Sequence, residues 1–313
     1  MAGSVLTDIG VSAVEDVTDM IFQITPEETV TYNLLGETND VDNIYHQWQT
    51  RDLVTRNDNA KVEGRTFQAR EVRGTSRETN ICQIFGDEIR ISGTSQAVKR
   101  YAISDQFADQ MKISMTEVKT DMNHAIVQGS LASVTTTGQR RFNGIIWSLS
   151  LGTGNHTVLT VASLGEDLLM DLLQENWDRG VRAKDVLVNA REKRAISAFT
   201  AGVTKFRDQE DRRVVNAVSI YESDFGIVQI HLERDVPSNT TIDVGGVDFS
   251  NSSFVIAIDR SFWKKAWLRR PFTEMTAKVA DSIDGALTAE FTLEYGNPNA
   301  GGWKVIPSLV PTL

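Results

Sequence analysis

The chain has 313 residues, room for about two domains of ~150 residues each, and a 41% hydrophobic share that supports a packed core and excludes wholesale disorder. A formal net charge of −10 argues against nonspecific nucleic-acid binding by the chain as a whole, which needs a basic face to displace counterions from the phosphates. A single cysteine rules out an internal disulfide, and no apolar run approaches the roughly 18 residues of a membrane span, so a soluble protein of a reducing cytoplasm is expected.

Residues 1–44 are mixed in character. Thr25-Pro26 disfavours helix at its junction, and residues 16–22 fit either a short helix or extended chain. This stretch reads either as an arm lying on a neighbouring subunit or as a tail packed on its own domain. Residues 45–79 are sparse in apolar side chains. Arg51, Arg56, Lys61, Arg65, Arg70, Arg73 and Arg77 alternate there with Asp52, Asp58, Glu63, Glu71 and Glu78. Asn57-Asp58-Asn59 is a turn signal between two strand-like runs, which predicts a long polar hairpin. An isolated ribbon of this kind is marginal in water, so it must lean on another surface. The alternative is a solvated loop.

Residues 83–94 alternate as a strand and lead into the most regular segment of the chain. Phe107, Met111, Met115, Val118, Met122 and Ile126 recur at gaps of four, four, three, four and four, one stripe on a 3.6-residue helix. Ser104 is the expected cap, with Asp105 and Asp109 at the positive end. From 105 to 129 such a helix is about 37 Å long at ~1.5 Å per residue. It is a beam, which serves a building block better than a compact enzyme.

After a break at residues 138–141, Ser163-Leu-Gly-Glu166 reads as a capping box for a helix that carries Leu168, Leu169, Leu172, Leu173 and Trp177 and stops near Gly180. Residues 185–189 are a short buried strand and 190–199 a second helix. Residues 214–221 and 227–232 are strands joined by the hairpin signal Asp224-Phe-Gly226, and 254–258 is another strand. Pro271 opens the final region, where residues 289–295 alternate and, after the turn Gly296-Asn-Pro-Asn299, residues 303–306 return as a paired strand. Helices and strands mix without a regular repeat, which argues α+β.

The chemistry is thin. His46, His124, His156 and His231 are dispersed without metal-ligand spacing, no nucleophile elbow or phosphate loop is present, and Gly152-Thr-Gly154 lacks a third glycine at dinucleotide spacing. Asp87-Glu88 is a common surface pair, and Cys82 reads as a small buried side chain. No catalytic, metal or cofactor residue is assigned. Trp263-Lys-Lys-Ala-Trp267 mixes aromatic and basic residues and is expected to be a strand edge at a subunit contact rather than a nucleic-acid patch.

Taken together, several motifs resemble one family. They are Trp48, Glu63-Gly64, Asn80-Ile-Cys-Gln-Ile-Phe85 followed by Ile91-Ser-Gly-Thr94, and the helix bearing Gln110, Lys112, Glu117 and Asp121. Further along come Arg141 with Asn143-Gly144, Leu187-Val-Asn189, Lys193-Arg-Ala-Ile-Ser197 and Tyr221-Glu-Ser-Asp-Phe-Gly226. Ala277-Lys278 with Asp281, and Glu290-Phe-Thr-Leu-Glu294 before Asn297, close the set. Their order from about residue 15 to 306 resembles the major capsid proteins of tailed bacteriophages, the SU-10-type head proteins in particular.

The resemblance implies an α+β shell fold of Hong Kong-97 type. Its parts would be an N-terminal arm (1–44), an extended loop (45–79), a peripheral domain with a spine helix (80–147), an axial domain (148–270) and a return to the peripheral domain (271–313). It implies a structural, non-enzymatic protein without cofactors that assembles with copies of itself in pentamers and hexamers and encloses double-stranded DNA without reading its sequence. The seven loop cations would lie at the contact between subunits. A separate scaffolding protein, a portal and a decoration protein are the implied partners, with assembly in the host bacterial cytoplasm, residence in the virion and no membrane. An encapsulin-like compartment shares the fold and is the alternative, and an oligomeric enzyme is the alternative of another class.

Overall fold

The computed structural model describes residues 28–51, 53, 58–67, 74–99, 103–132, 138–151, 156–158, 164–199, 219–238, 240–244, 247–277, 280–297, 299 and 301–307. The first elements are α1 (Val30–Leu34), β1 (Gly36–Glu37), β2 (Tyr45–Thr50), β3 (Ser76–Ile81), β4 (Gln83–Ser92), α2 (Gly93–Ala97), α3 (Gln106–Gln128) and α4 (Ile145–Ser150). There follow β5 (His156–Val158), α5 (Glu166–Asp178), β6 (Asp185–Val188), α6 (Ala190–Phe199), β7 (Ile220–Ser223) and β8 (Gly226–Leu232). The described chain ends with β9 (Thr240–Val244), β10 (Val247–Ile258), β11 (Trp263–Met275), β12 (Ser282–Tyr295) and β13 (Gly301–Pro307).

Three sheets result. One runs β1-β11-β12-β4, a larger one runs β5-β13-β10-β6-β8-β7 with β9 paired on β10, and β2 pairs with β3 alone. The long helix α3 lies on the first sheet. Val118, Met122 and Ile126 of the expected stripe are buried, while Met115 is exposed. On β4, Phe85 and Ile91 are buried and Ile84 and Arg90 exposed, the two-residue period of a strand with one covered face. Asp105, not Ser104, caps α3: its carboxylate accepts from the backbone N–H of Phe107 and Ala108. The strand also stops earlier than the alternation predicts. Ser92 caps the short α2, so Thr94 is helical.

The core is continuous between the two larger sheets. Phe291 is the hub of an aromatic cluster, its ring centroid 5.1–5.2 Å from those of Phe85, Phe142 and Trp267. These rings adjoin Ile145, Ile146 and Leu149 of α4 and Phe254, Ile256, Trp303 and Val305 from the larger sheet. The opposite face of that sheet presents Val186, Val188, Val255, Ala257 and Ile306 to Leu169, Leu172 and Leu173 of α5 and Ile196 of α6. Covered on both faces, β6 is buried at all four positions, which explains its continuous apolar run.

Several other expectations need correction. The helix α5 begins at Glu166 on Gly165 with no side-chain cap, and Glu166 instead accepts the Tyr221 hydroxyl at 2.6 Å; Ser163 of the expected capping box lies outside the described residues. Trp263 and Trp267 do not form an exposed edge. Both are buried on β11, an inner strand of the four-stranded sheet whose neighbours at Lys264 and Lys265 are β1 on one side and β12 on the other. Pro271 lies inside β11, where the register shifts between Arg269 and Phe272. Residues 303–306 do not fold back on β12. They belong to β13, which crosses to the larger sheet and pairs antiparallel with β10 and parallel with β5. The strand expected over 214–221 is Ile220–Ser223, with residues 214–218 outside the described set, and its hairpin with β8 turns at Asp224-Phe225 with Gly226 at φ +125°.

Candidate assembly surface

The hairpin expected over 45–79 exists at its base. Six residue pairs, from Tyr45↔Ile81 to Thr50↔Ser76, form the antiparallel β2–β3 ribbon. Asn80 fixes its root. The buried side chain donates to the carbonyls of Leu293 (2.7 Å) and Asn143 (3.2 Å), and its oxygen accepts from the N–H of Asn143 (2.9 Å) and Ile81 (3.0 Å). All four bonding positions of the amide are used, so the base of the loop is locked to the segment just before α4 and to β12. Trp48 packs edge-on against Tyr295, centroids 4.7 Å apart. His46 Nε2 sits 3.1 Å from Glu294 and holds that carboxyl below its ordinary value, while burial pushes the Tyr295 phenol up to about 12.

Residues 58–67 are all exposed. The described turn is Val62–Arg65, closed by the Arg65 N–H to the Val62 carbonyl and requiring Gly64 at φ +75°; Asp58 makes only a local bond to the Ala60 N–H, and Asn57 lies outside the described residues. Of the seven expected contact cations, Arg51, Lys61, Arg65 and Arg77 are described and exposed. None forms an ion pair with a described residue, and Arg77 reaches Gln47 at 3.3 Å. Arg56, Arg70 and Arg73 lie outside the described residues.

Reading charge alone missed the apolar side chains between these cations. Leu53, Val62 and Phe67 are 89%, 82% and 90% exposed, with the Arg65 guanidinium 5.8 Å above the Phe67 ring. A second apolar area lies on the body. Residues 269–275 at the far end of β11 are exposed, and with α3 they border a groove of about 530 Å³ lined by Tyr32, Met115, Met122, Pro271, Phe272 and Leu287. The sequence signal available for both was the isolated large apolar residue in a polar stretch.

Among the described residues no cluster of His, Cys, Asp and Glu suits a metal ion, and none of the described helices is long and apolar enough to cross a membrane. Asp87 does not pair with Glu88 as an acid–base couple; it accepts the Ser114 hydroxyl and thereby pins α3 to β4. His231 bonds the buried Asp185 at 2.9 Å, a satisfied sheet histidine. Cys82 is fully buried, and burial, with Glu290 adding and Arg140 opposing, pushes its thiol up to about 11.

The chain is similar in structure to the capsid of a native GTA particle (TM-score 0.66, 9% identity, 96% of this chain and 98% of that one). It is also similar to a Mycobacterium phage Che8 chain (0.61, 13%, 94% and 97%) and to the holo-SrpI encapsulin complex of Synechococcus elongatus (0.60, 10%, 95% and 94%). These likenesses establish the α+β capsid fold of Hong Kong-97 type. The chain belongs to the SU10 major capsid protein family, whose family model it matches over residues 3–304, and it is a major capsid protein of a tailed phage. The encapsulin likeness is one of fold. A comparison with curated protein sequences gives no match. Family and fold assign a structural role, self-association and a place in the virion capsid.

Proposed function

We propose that this subunit closes into an icosahedral head by assembling as pentamers and hexamers around double-stranded DNA, and that residues 45–79 are the extended loop carried onto a neighbouring copy. The observation that supports this reading is the exposure of Leu53, Val62 and Phe67 on a loop whose root is fixed by Asn80. Each such side chain gains about 1.5–3 kcal/mol on full burial, so the loop lacks a partner surface within its own subunit. The groove beside Met115 and Phe272 on the next copy offers one, and Arg51, Arg56, Lys61, Arg65, Arg70, Arg73 and Arg77 add steering and register at its rim. One surface repeated round a ring gives a heterologous contact that closes into a shell, and many weak contacts act together.

In this reading 1–44 is the arm, although Thr38 and Val41 already bond to β11 of the same subunit through the carbonyls of Lys265 and Trp267. The helix α3 is the spine. Residues 80–147 with 271–313 form the peripheral domain and 148–270 the axial domain, adjusted so that the start of β11 joins the peripheral sheet and β13 the axial one. The net charge of −10 keeps the shell from trapping DNA during packaging. A separate scaffolding protein, a portal and a decoration protein complete the assembly in the host bacterial cytoplasm. Negative-stain microscopy of the chain co-expressed with its scaffolding protein tests this: shells are expected, and scattering from a species of only 34.7 kDa under all salt and concentration conditions would overturn it.

A further inference from the structure

The loop after β8 begins with a buried carboxylate, Glu233, that forms no ion pair with a described residue. Glu233 is 1% exposed. Its Oε2 accepts the backbone N–H of Thr31 (2.8 Å) and the Thr31 hydroxyl (2.6 Å). Its Oε1 accepts the Asn123 side-chain amide (3.0 Å) and the Asp235 N–H (3.2 Å). Asn123, on α3 and fully buried, is used on both sides: its oxygen accepts the Tyr32 N–H at 2.8 Å, and its amide also donates to the Asp235 carboxylate. Gln128, one turn further along α3, donates to the Asp235 carbonyl at 2.6 Å. From the third side Lys265 of β11 donates to the Tyr32 carbonyl at 2.8 Å and lies 4.0 Å from the centre of the Tyr32 ring.

Thr31 and Tyr32 therefore touch three separately built parts: the loop leaving the larger sheet, the long helix, and the interior strand of the smaller sheet. A buried carboxylate is costly unless its lone pairs are filled, and here the donors that fill it come from two of the elements it would join. Withdrawing either the N-terminal segment or α3 leaves the charge short of partners, so the bonds stand or fall together.

We propose that Glu233 and Asn123 form a latch that couples the N-terminal segment to the seating of the larger sheet on the long helix, so that residues 29–33 are held on their own subunit only while the loop after β8 is docked. Coupling of this kind is reciprocal: loosening the segment loosens the loop, and loosening the loop frees the segment. In a shell whose subunits occupy different surroundings, the latch makes the departure point of the N-terminal arm report how the two sheets of the same subunit are placed. The inference rests on bonds within one subunit, so failure of the latch and failure of shell assembly are separate outcomes.

Hydrogen exchange on the full chain, in whatever oligomer it purifies, tests the proposal. Glu233→Gln replaces one accepting oxygen by an NH2 that must face either the Thr31 donors or the Asn123 amide and Asp235 N–H, and removes the charge from the other; exchange at Thr31 and Tyr32 is expected to speed up about ten- to a hundredfold, the loss of a bond to a charged acceptor. The decisive variant is Thr31→Val, which removes one hydroxyl at constant shape and keeps the fold if Glu233→Gln does not. The latch requires faster exchange not only at 31 and 32 but also at 234–236, where the chain is unaltered. Acceleration confined to residues 29–33 would make Glu233 a local anchor and overturn the coupling, whether or not shells still form.

Discussion

Glu290 is the position where substitution should divide most clearly. Its carboxylate is 4% exposed and receives Arg140 on one oxygen and, at 3.0 Å, Arg269 on the other. The two arginines differ: Arg140 is 11% exposed and Arg269 is 46% exposed. Glu290→Ala strands a buried guanidinium, which costs about 3–5 kcal/mol, a large share of the roughly 5–15 kcal/mol that holds a domain together. Arg269→Ala removes a partner that water can replace and costs about 1 kcal/mol or less. Replacing the inner pair together, Arg140→Met with Glu290→Leu, removes both the attraction and the desolvation and should return stability to within about 1 kcal/mol of the parent. Urea unfolding followed by tryptophan fluorescence measures all three. Cys82 adds an internal reporter, because a buried thiol pushed up to about 11 is labelled only when the structure opens, and Glu290→Ala should accelerate that labelling. Equal costs for Glu290→Ala and Arg269→Ala, or a double variant as unstable as the single one, would refute the assignment of the penalty to a stranded Arg140.

Three further outcomes are expected. Gly144→Ala places a methyl 2.6 Å from the Gly129 nitrogen and 2.7 Å from the Ala125 carbonyl oxygen, all backbone, so it should cost about 1–3 kcal/mol by overpacking, read as a lower urea midpoint; an unchanged midpoint would show that the α3–α4 junction yields. Reversing Arg65, Arg70 and Arg73 together to glutamate should leave the circular dichroism spectrum unchanged and block shell assembly at low salt, with partial rescue as salt screens the charges beyond roughly 8–10 Å, whereas Phe67→Ser should weaken assembly without salt rescue. The His124 pKa is raised, chiefly by its hydrogen bond to Asp235, so its contribution is complete below the unperturbed value of about 6.5 and is lost as pH rises through the folded value. With the imidazole 58% exposed that contribution is at most about 1 kcal/mol, and His124→Gln should flatten stability across that window without altering it elsewhere.

What could be read from the sequence was local. The gaps along α3, the 190–199 helix and the Asp224-Phe-Gly226 turn all follow from periodicity and turn chemistry within a few residues, and the structure carries them at Gln106–Gln128, Ala190–Phe199 and between β7 and β8. The misplacements arise where a distant partner decides. Trp263 and Trp267 flank lysines and look like an edge until β1 and β12 close over them. The strand β13 follows a turn and looks like a hairpin return, but its apolar residues complete the larger sheet. The carboxylate–amide cluster of Thr31, Asn123 and Glu233 spans separations of 110 and 202 residues and leaves no periodic trace. Reading charge named the cations of the loop and passed over Leu53, Val62 and Phe67, because an isolated apolar residue in a polar run carries no pattern.

The pairing of β4 with β12 joins residues 83–92 to residues 282–291, and β13, the last described strand, sits between β10 and β5 in the larger sheet. During synthesis the first half of the chain therefore emerges with β4 bare along both edges, and the smaller sheet closes only when the last strands leave the ribosome. Contacts so distant in sequence make folding slow, and an unpaired strand edge invites wrong partners meanwhile. Yet the same delay acts as a timer. A truncated or stalled chain cannot complete either sheet or anchor the root of its loop, since Asn80 needs the Leu293 carbonyl. Only a chain that has reached β12 can hold Asn80, and with it the base of the β2–β3 ribbon, in the place described.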